Sequence, residues 1–144
     1  MSKNAFLISI KPQFAEMIFS RKKTVELRRV PPKVEKGDMG LVYVSSPVKE
    51  LQGCFEVAGI VSGSPTALWE QLGKKSGITR RALFTYFRGK AVAHAIVIQR
   101  VWKLPAPVRL SSLREQQTGF RPPQNFHYLK GKILPGYADM RKAA

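Results

Sequence analysis

Apolar residues along the chain recur with a period of two in some segments and at helical spacing in others. Short apolar or β-branched runs predict strands over residues 6–10, 24–30, 39–46, 53–63 and 91–104. Apolar positions three and four apart predict helices over residues 11–22, 64–77, 78–89 and 110–117. A tail rich in proline and aromatic residues follows. With no internal repeat and no linker, this order predicts one α+β domain over residues 1–144, a small barrel with helices on its rim.

The strand predicted over residues 24–30 has two different faces. Val25 and Leu27 share one face, and Glu26 and Arg28 share the other. Glu26 is the single acid within the cationic run RKKTVELRR. A carboxylate between cations on one strand face can orient an arginine through a charge-assisted hydrogen bond. An ordinary cross-strand salt bridge is the alternative interpretation of the same residue.

The charge of the chain restricts its partners. It has 25 Lys and Arg against nine Asp and Glu, a formal net charge of +16. A field of this sign attracts polyanions. Between Gln71 and Arg114 there is no acid, whereas basic residues are frequent, which predicts a basic face. Nucleic acid is the expected partner. A merely solvated basic surface is the alternative, and a membrane is disfavoured because no long amphipathic helix is visible.

Several classes of protein are disfavoured by composition. No run of about 18 apolar residues exists and the N-terminus lacks the pattern of a signal peptide, so we expect a cytoplasmic protein. The single cysteine, Cys54, lies in the apolar run CFEVAGIV and is expected to be buried and inert. Two separated histidines and few acids form no recognisable metal site. We therefore expect neither a metal nor another cofactor.

The segment KKSGITRRALFTYFRGK resembles the second half of a helix-turn-helix motif from a bacterial repressor. A DNA-binding regulator is therefore one alternative function. Against it, a strand-like run, AVAHAIVI, follows at once, where such a domain needs further packed helices. Leu83 and Phe87, four residues apart, are expected to form the buried stripe of this helix, with Arg81 and Arg88 on its exposed side.

The succession IKPQFAEMIFSRKKTVELRR, GDMGLVYVSSPVKEL, GCFEVAGIV and RPPQNFHYL resembles the ASCH family, a branch of the PUA-like superfamily. The most specific element is a helix with a basic turn followed by Lys-Thr-x-Glu-x-Arg, which begins at Lys23 and ends at Arg28. The resemblance covers nearly the whole chain. It implies a small β-barrel with flanking helices and a cleft beside the motif that binds RNA or a nucleotide-like ligand. It also makes KKSGITRRALFTYFRG a helical insertion.

Family members differ in activity, so the residues are compared one by one. Amidohydrolases that act on acetylated cytidine carry Lys-Thr-x-Thr-x-Arg, with the lysine, the second threonine and a downstream glutamate as catalytic groups. Lys23 matches this lysine, whereas Glu26 replaces the second threonine. No acid lies in the region expected to hold the downstream partner. Hydrolysis of a modified nucleoside such as acetylated cytidine is the runner-up function.

Longer bacterial members resemble metal-independent ribonucleases. Their candidate catalytic groups are a tyrosine, a lysine six residues later and a serine in a Pro-Gln-x-Phe stretch. Tyr43 and Lys49 fit this spacing, but Asn125 lies in the segment where the serine is expected. RNA cleavage by its own 2′-hydroxyl needs a proton acceptor, a cation for the phosphorane charge and a donor to the leaving oxygen. Lys49 is the candidate cation, Asn125 a hydrogen-bond donor and His127 an alternative acid or base.

Tyr43 could exchange protons in such a reaction if nearby cations lowered its pKa from about 10. The alternative is that Tyr43 packs within the barrel and presents only its hydroxyl group.

Together these features predict an RNA-binding ASCH domain with weak metal-independent ribonuclease activity on single-stranded RNA. Phosphates are expected to be held by the basic residues of and around the motif: Lys22, Lys23, Arg28, Arg29 and Arg81. An exposed aromatic residue, Phe126 or Tyr128, is expected to stack on a base. His127, which lies between them in the chain, is also expected to contact the RNA. Glu26 is expected to aim Arg28 into the cleft and to accept a hydrogen bond from a base edge.

Overall fold

The part of the chain that the structure describes consists of a six-stranded mixed sheet and four helices. The computed structural model describes residues 4–31, 33–124 and 126–129. The elements in chain order are β1 (Ala5–Ile10), α1 (Pro12–Phe19), β2 (Val25–Arg28), β3 (Met39–Val44), β4 (Glu50–Gly63), α2 (Pro65–Leu72), α3 (Arg80–Tyr86), β5 (Ala93–Arg109), α4 (Leu110–Gln116) and β6 (Phe126–Tyr128).

The sheet has the strand order β2-β5-β4-β3-β1-β6. β1 and β3 are parallel, with Ala5 opposite Met39, and all other neighbours are antiparallel. Irregular register along β4 bends it against β3 and β5, since bulges increase local twist. The sheet therefore curls into a half-barrel flanked by the four helices. This confirms the predicted α+β, PUA-like class, with β2 and β6 at the edges of the described sheet.

Both faces of the sheet are covered by apolar side chains. Phe6 and Ile8 of β1 belong to a cluster with α1, whereas Leu7 belongs to a cluster with Leu113 of α4. A third cluster joins β2 to α2 and α3 and contains Leu83. Because neighbouring strand residues point to opposite faces, β1 is buried on both sides. This packing explains why β1 reads as a continuous apolar run.

The predicted elements are confirmed, with differences at their ends. Ser64 caps α2, since its hydroxyl accepts a hydrogen bond from the Ala67 amide at 3.1 Å. α1 ends before residue 22 because Arg21 has a left-handed backbone, with φ of 68°. β5 continues beyond residue 104 because its end pairs with the start of β4, where Val108 lies opposite Leu51. The pairing of two distant segments is not encoded in either segment alone.

The helix pair α2 and α3 belongs to this half-barrel fold. Leu83 and Phe87 are each 1% exposed and pack with β2 and β5, while Arg81 and Arg88 are exposed, as predicted. α3 has seven residues and leads into β5. The arrangement differs from a helix-turn-helix domain, in which the second helix projects from a bundle of helices. Within the described residues, no helix is long and apolar enough to cross a membrane.

Cys54 is expected to be inert in the folded protein. It is fully buried in β4, and burial raises the pKa of its thiol to about 12. We therefore expect no reaction with a thiol-reactive aromatic disulfide in mildly alkaline buffer, and complete reaction once the chain is unfolded in denaturant. The absorbance of the released aromatic thiolate measures the extent of reaction in the native and in the unfolded protein. Rapid labelling of the native protein would contradict the buried position of Cys54. The Cys54→Ala variant, which has no thiol, measures the background absorbance.

Candidate functional site

A cavity of about 700 Å³ opens where the ends of several elements meet. Its walls come from the end of β1, the start of α1, β2, the segment from Tyr43 to Lys49, α3, α4 and residues 122–124. Phe14, Ile78 and Leu110 are among its apolar lining residues. A cavity of this size suits a ligand as large as a nucleotide.

Two polar side chains of β2 form part of its buried wall. Strand alternation packs Val25 into the apolar cluster with α2 and α3, and leaves Glu26 and Arg28 lining the cavity. The Nη2 atom of Arg28 donates to Glu26 Oε1 at 3.1 Å and to the Ser9 carbonyl at 3.2 Å. The ion pair thus lies within one strand, rather than across two strands. Glu26 holds Arg28 at the cavity, as the first of the two interpretations expects.

Two atoms of this ion pair are buried without a hydrogen-bond partner: Glu26 Oε2 and Arg28 Nε. Each side chain is 10% exposed. An unsatisfied buried polar atom costs about 1–3 kcal/mol, more for a charged group. Unpaired buried polar atoms are rare in folded proteins, and a strained or functional site is one of the settings in which they occur.

Lys23 lies beside this pair and is 3% exposed. Its Nζ atom donates to the Ser76 carbonyl and lies 5.2 Å from the centre of the Phe14 ring. Burial lowers the pKa of Lys23, while the Glu26 carboxylate opposes this shift. We call Lys23, Glu26 and Arg28 the cavity floor. Lys23 is therefore an inward-facing group of the cavity wall, and its contact with phosphate stays a prediction.

Exposed cations surround the opening of the same cavity. We call Lys11, Lys49 and Arg114 the cavity mouth, since all three are exposed and line the cavity. Lys49 has a left-handed backbone, with φ of 55°, in the segment between β3 and β4. Positive charge is thus concentrated where a phosphate group would remain in contact with water.

Tyr43 also lines the cavity, and it is 2% exposed. Burial raises the pKa of Tyr43, and the nearby Arg114 only partly offsets that effect. The expectation that cations would lower this pKa is wrong, because loss of hydration outweighs their attraction for a phenolate. Tyr43 is therefore protonated at neutral pH, and its hydroxyl group can donate a hydrogen bond.

Several predicted site residues lie away from the cavity. Lys22 and Arg81 are exposed outside its lining. Arg29 donates to the carbonyl groups of Tyr86 and Arg88, which ties β2 to the end of α3. These contacts make Arg29 a structural link, rather than a group of the cavity wall.

The predicted aromatic platform is also different. Phe126 packs edge-on against Phe6, with 6.0 Å between ring centres, and it is half-buried against the core together with Tyr128. The prediction of an exposed stacking ring is wrong for both residues, because β6 pairs with β1 and brings these rings onto the core. His127 is exposed opposite Leu7 and outside the cavity lining. Asn125 lies outside the described residues.

Sequence reasoning missed Arg114 as a residue of the site. It is four residues after Leu110 in α4, so both share one helix face, and both line the cavity. The adjacent Leu113 is fully buried. An arginine next to the buried stripe of a short helix was the available signal, but the position of α4 beside Tyr43 depends on the fold. Within residues 4–31, 33–124 and 126–129, no group of three potential ligands could hold a metal ion.

The curled mixed sheet and its ligand-sized cavity define a small domain of the PUA-like type. The model of the ASCH domain matches residues 8–120, which include the floor and mouth of the cavity. The chain belongs to the ASCH domain family, as the sequence motifs indicated.

Relatives from Zymomonas mobilis match most of the chain. One is an ASCH domain-containing ribonuclease, 32% identical over 124 residues, which are 86% of this chain and 83% of the relative. A crystal structure of ASCH from the same organism superposes with a TM-score of 0.84, 29% identity and coverage of 96% of this chain and 94% of the other. A tyrosine-to-phenylalanine mutant of that protein superposes with a TM-score of 0.84, 28% identity and 96% coverage of both chains.

Proposed function

We propose that this ASCH domain binds single-stranded RNA and cleaves it weakly without a metal ion. The observation that carries the proposal is the shared cavity, which combines the donor Tyr43 with the exposed cations Lys49 and Arg114. The net charge of +16 favours a polyanionic partner. The name of the Zymomonas mobilis relative supports the same class of substrate.

Binding divides between the mouth and the floor of the cavity. Phosphates contact the mouth, where the basic side chains of Lys11, Lys49 and Arg114 are exposed. Lys22 and Arg81 extend the positive surface outside the cavity. Within the floor, the charge of Arg28 is already paired with that of Glu26, which leaves this arginine less free to bind a phosphate.

Cleavage uses the nucleophile that RNA itself carries. The 2′-oxygen attacks the neighbouring phosphorus, the bond to the 5′-oxygen breaks, and a 2′,3′-cyclic phosphate and a 5′-hydroxyl form. Lys49 and Arg114 neutralise charge that develops on the phosphorane. Tyr43 donates a proton to the leaving 5′-oxygen and recovers it from solvent. Water accepts the proton of the 2′-hydroxyl, which is why the proposed activity is weak.

Hydrolysis of a modified nucleoside is the second candidate function. Lys23 favours it, because a buried amine with a lowered pKa is suited to proton transfer or nucleophilic attack. Glu26 occupies the place of the catalytic threonine in the amidohydrolase motif, which counts against this candidate. Release of acetate from acetylated cytidine by the purified protein would favour the hydrolase over the ribonuclease.

Labelled single-stranded RNA and DNA of one sequence, incubated with the protein in a chelator, test the proposal. We expect RNA fragments that end in 2′,3′-cyclic phosphate, and intact DNA, because DNA lacks the 2′-nucleophile. Gel electrophoresis and mass spectrometry of the fragments measure both outcomes. Intact RNA at excess protein, or loss of cleavage in chelator, would contradict the ribonuclease proposal. Lys49→Ala, which removes a mouth cation, should slow cleavage, whereas Lys90→Ala, outside the cavity, should not.

A further inference from the structure

A second hollow adjoins the cavity at its mouth. It has a volume of about 400 Å³ and is more open to solvent than the cavity. Lys49, Leu110 and Arg114 line both spaces, so the two hollows share one rim. We call the second hollow the side groove, and its remaining lining residues are Pro47, Val48, Glu50, Arg109 and Ser111. A ligand that extends past this rim therefore enters the side groove.

Strand pairing fixes the two sides of the side groove. Glu50 at the start of β4 lies opposite Arg109 at the end of β5, and the Leu110 amide donates to the Lys49 carbonyl at 3.0 Å. Paired strands lie about 4.8 Å apart, so Lys49 and Arg109 project from adjacent segments of the chain. α4 begins at Leu110, and Arg114 follows one helical turn later. The backbone thus holds three cations around one hollow.

The cations of the two hollows follow an order. Lys11 lines the cavity, Lys49 and Arg114 line both spaces, and Arg109 lines the side groove. All four side chains are exposed. Within the described part of the chain, no hydrogen bond or ion pair engages the side chains of Lys49 and Arg109. A succession of available cations suits a polyanion that crosses the rim, whereas one small anion would use only part of it.

The side groove keeps an excess of positive charge despite one acid in its wall. Glu50 lines the groove, and its Oε1 atom accepts from Gln52 Nε2 at 2.9 Å. Three exposed cations, Lys49, Arg109 and Arg114, outnumber this carboxylate. The exposed hydroxyl group of Ser111 adds a hydrogen-bond donor. A phosphodiester, with one negative charge and oxygens that only accept, matches this set of groups.

We propose that the side groove is a second phosphate subsite, where Arg109 and Ser111 hold the RNA phosphate next to the one bound by Lys49 and Arg114. This inference rests on the proposed binding of single-stranded RNA. The strand occupies the cavity, crosses the shared rim and continues along the groove. A ligand with one phosphate leaves Arg109 unused, whereas a ligand with two phosphates reaches it. The groove therefore favours longer RNA without selecting a base, because every nucleotide offers the same phosphate.

Dinucleotides with and without a terminal phosphate test this inference on the full chain. Their 2′-hydroxyl groups are replaced by fluorine, which removes the nucleophile and prevents cleavage. Competition against a fluorescent single-stranded octamer of the same chemistry, measured by anisotropy, gives each affinity. At least one of the 5′- and 3′-phosphorylated forms should bind about fivefold more tightly than the unphosphorylated dinucleotide. We call this ratio the phosphate gain.

Arg109→Ala should reduce the phosphate gain to about one, because the added phosphate loses its cation. The matched control is Arg88→Ala, since Arg88 is also exposed but lines neither hollow, and this variant should keep the gain. The gain is a ratio within one protein, so a smaller folded fraction does not change it. The salt dependence of octamer binding is a second readout, because its slope should become shallower by about 0.7 in Arg109→Ala.

The octamer separates failure of this subsite from failure of the proposed function. Wild-type protein that binds the octamer but shows no phosphate gain would refute the subsite and leave RNA binding in place. A gain that survives in Arg109→Ala, or that falls equally in Arg88→Ala, would also refute it and indicate diffuse attraction. An octamer that does not bind at all would contradict the proposed function, and the subsite with it.

Discussion

Tyr43→Phe should reduce the rate of RNA cleavage by about 100-fold or more while leaving RNA affinity nearly unchanged. The substitution removes one oxygen and keeps the ring that packs among Leu7, Leu41 and Leu51. Burial raises the pKa of Tyr43, so the wild-type hydroxyl is protonated and available to the leaving oxygen at neutral pH. Cleavage rates with the protein in excess, together with affinity by anisotropy, measure the two effects separately.

The matched control is Tyr128→Phe, because this tyrosine is half-buried and does not line the cavity. It should cleave at the wild-type rate. The pH dependence adds a second readout: a donor with a raised pKa loses its proton only above its ordinary value of about 10. A Tyr43-dependent contribution should therefore persist through neutral pH and fall in strongly alkaline buffer. A Tyr43→Phe protein that cleaves as fast as the wild type would exclude this tyrosine from the reaction.

RNA affinity should fall by about 50-fold between about 50 and 200 mM salt, if about four phosphates are contacted. For single strands the logarithm of affinity declines with a slope of about −0.7 per phosphate contact, because each contact releases condensed counterions. In the proposed complex, the exposed mouth residues Lys11, Lys49 and Arg114 would supply most of these contacts. Titration of one labelled oligomer at several salt concentrations measures the slope.

Charge reversal distinguishes the mouth from the rest of the basic surface. Lys49→Glu and Lys90→Glu change the net charge equally, and both positions are exposed, but only Lys49 of the two lines the cavity. Lys49→Glu should weaken binding more and make the salt slope shallower. Equal losses in the two variants would indicate diffuse attraction by the whole surface, and an affinity independent of salt would exclude the electrostatic account.

Local patterns were sufficient for much of the fold and for part of the site. The alternation in β2 determines that Glu26 and Arg28 share one face. Residues two apart on a strand lie close together because of the strand geometry itself, independently of the other elements. The helix stripe of Leu83 and Phe87 and the burial of Cys54 were likewise readable from neighbouring residues. Tyr43 and Lys49 were found by their spacing, and the same short segment brings both to the cavity.

What the tertiary structure decided depends on contacts between segments far apart in the chain. Lys23 is buried because its Nζ atom meets the Ser76 carbonyl, 53 residues away, and Arg29 is tied to the Tyr86 carbonyl, 57 residues away. β6 places Phe126 against Phe6, which removes it from the predicted stacking role. The sequence alone determines the types of charged and aromatic groups and their local faces. Only the packed half-barrel determines which of these groups lose their hydration, since hydration depends on every segment that covers a side chain. Burial in this fold is what raises the pKa of Tyr43.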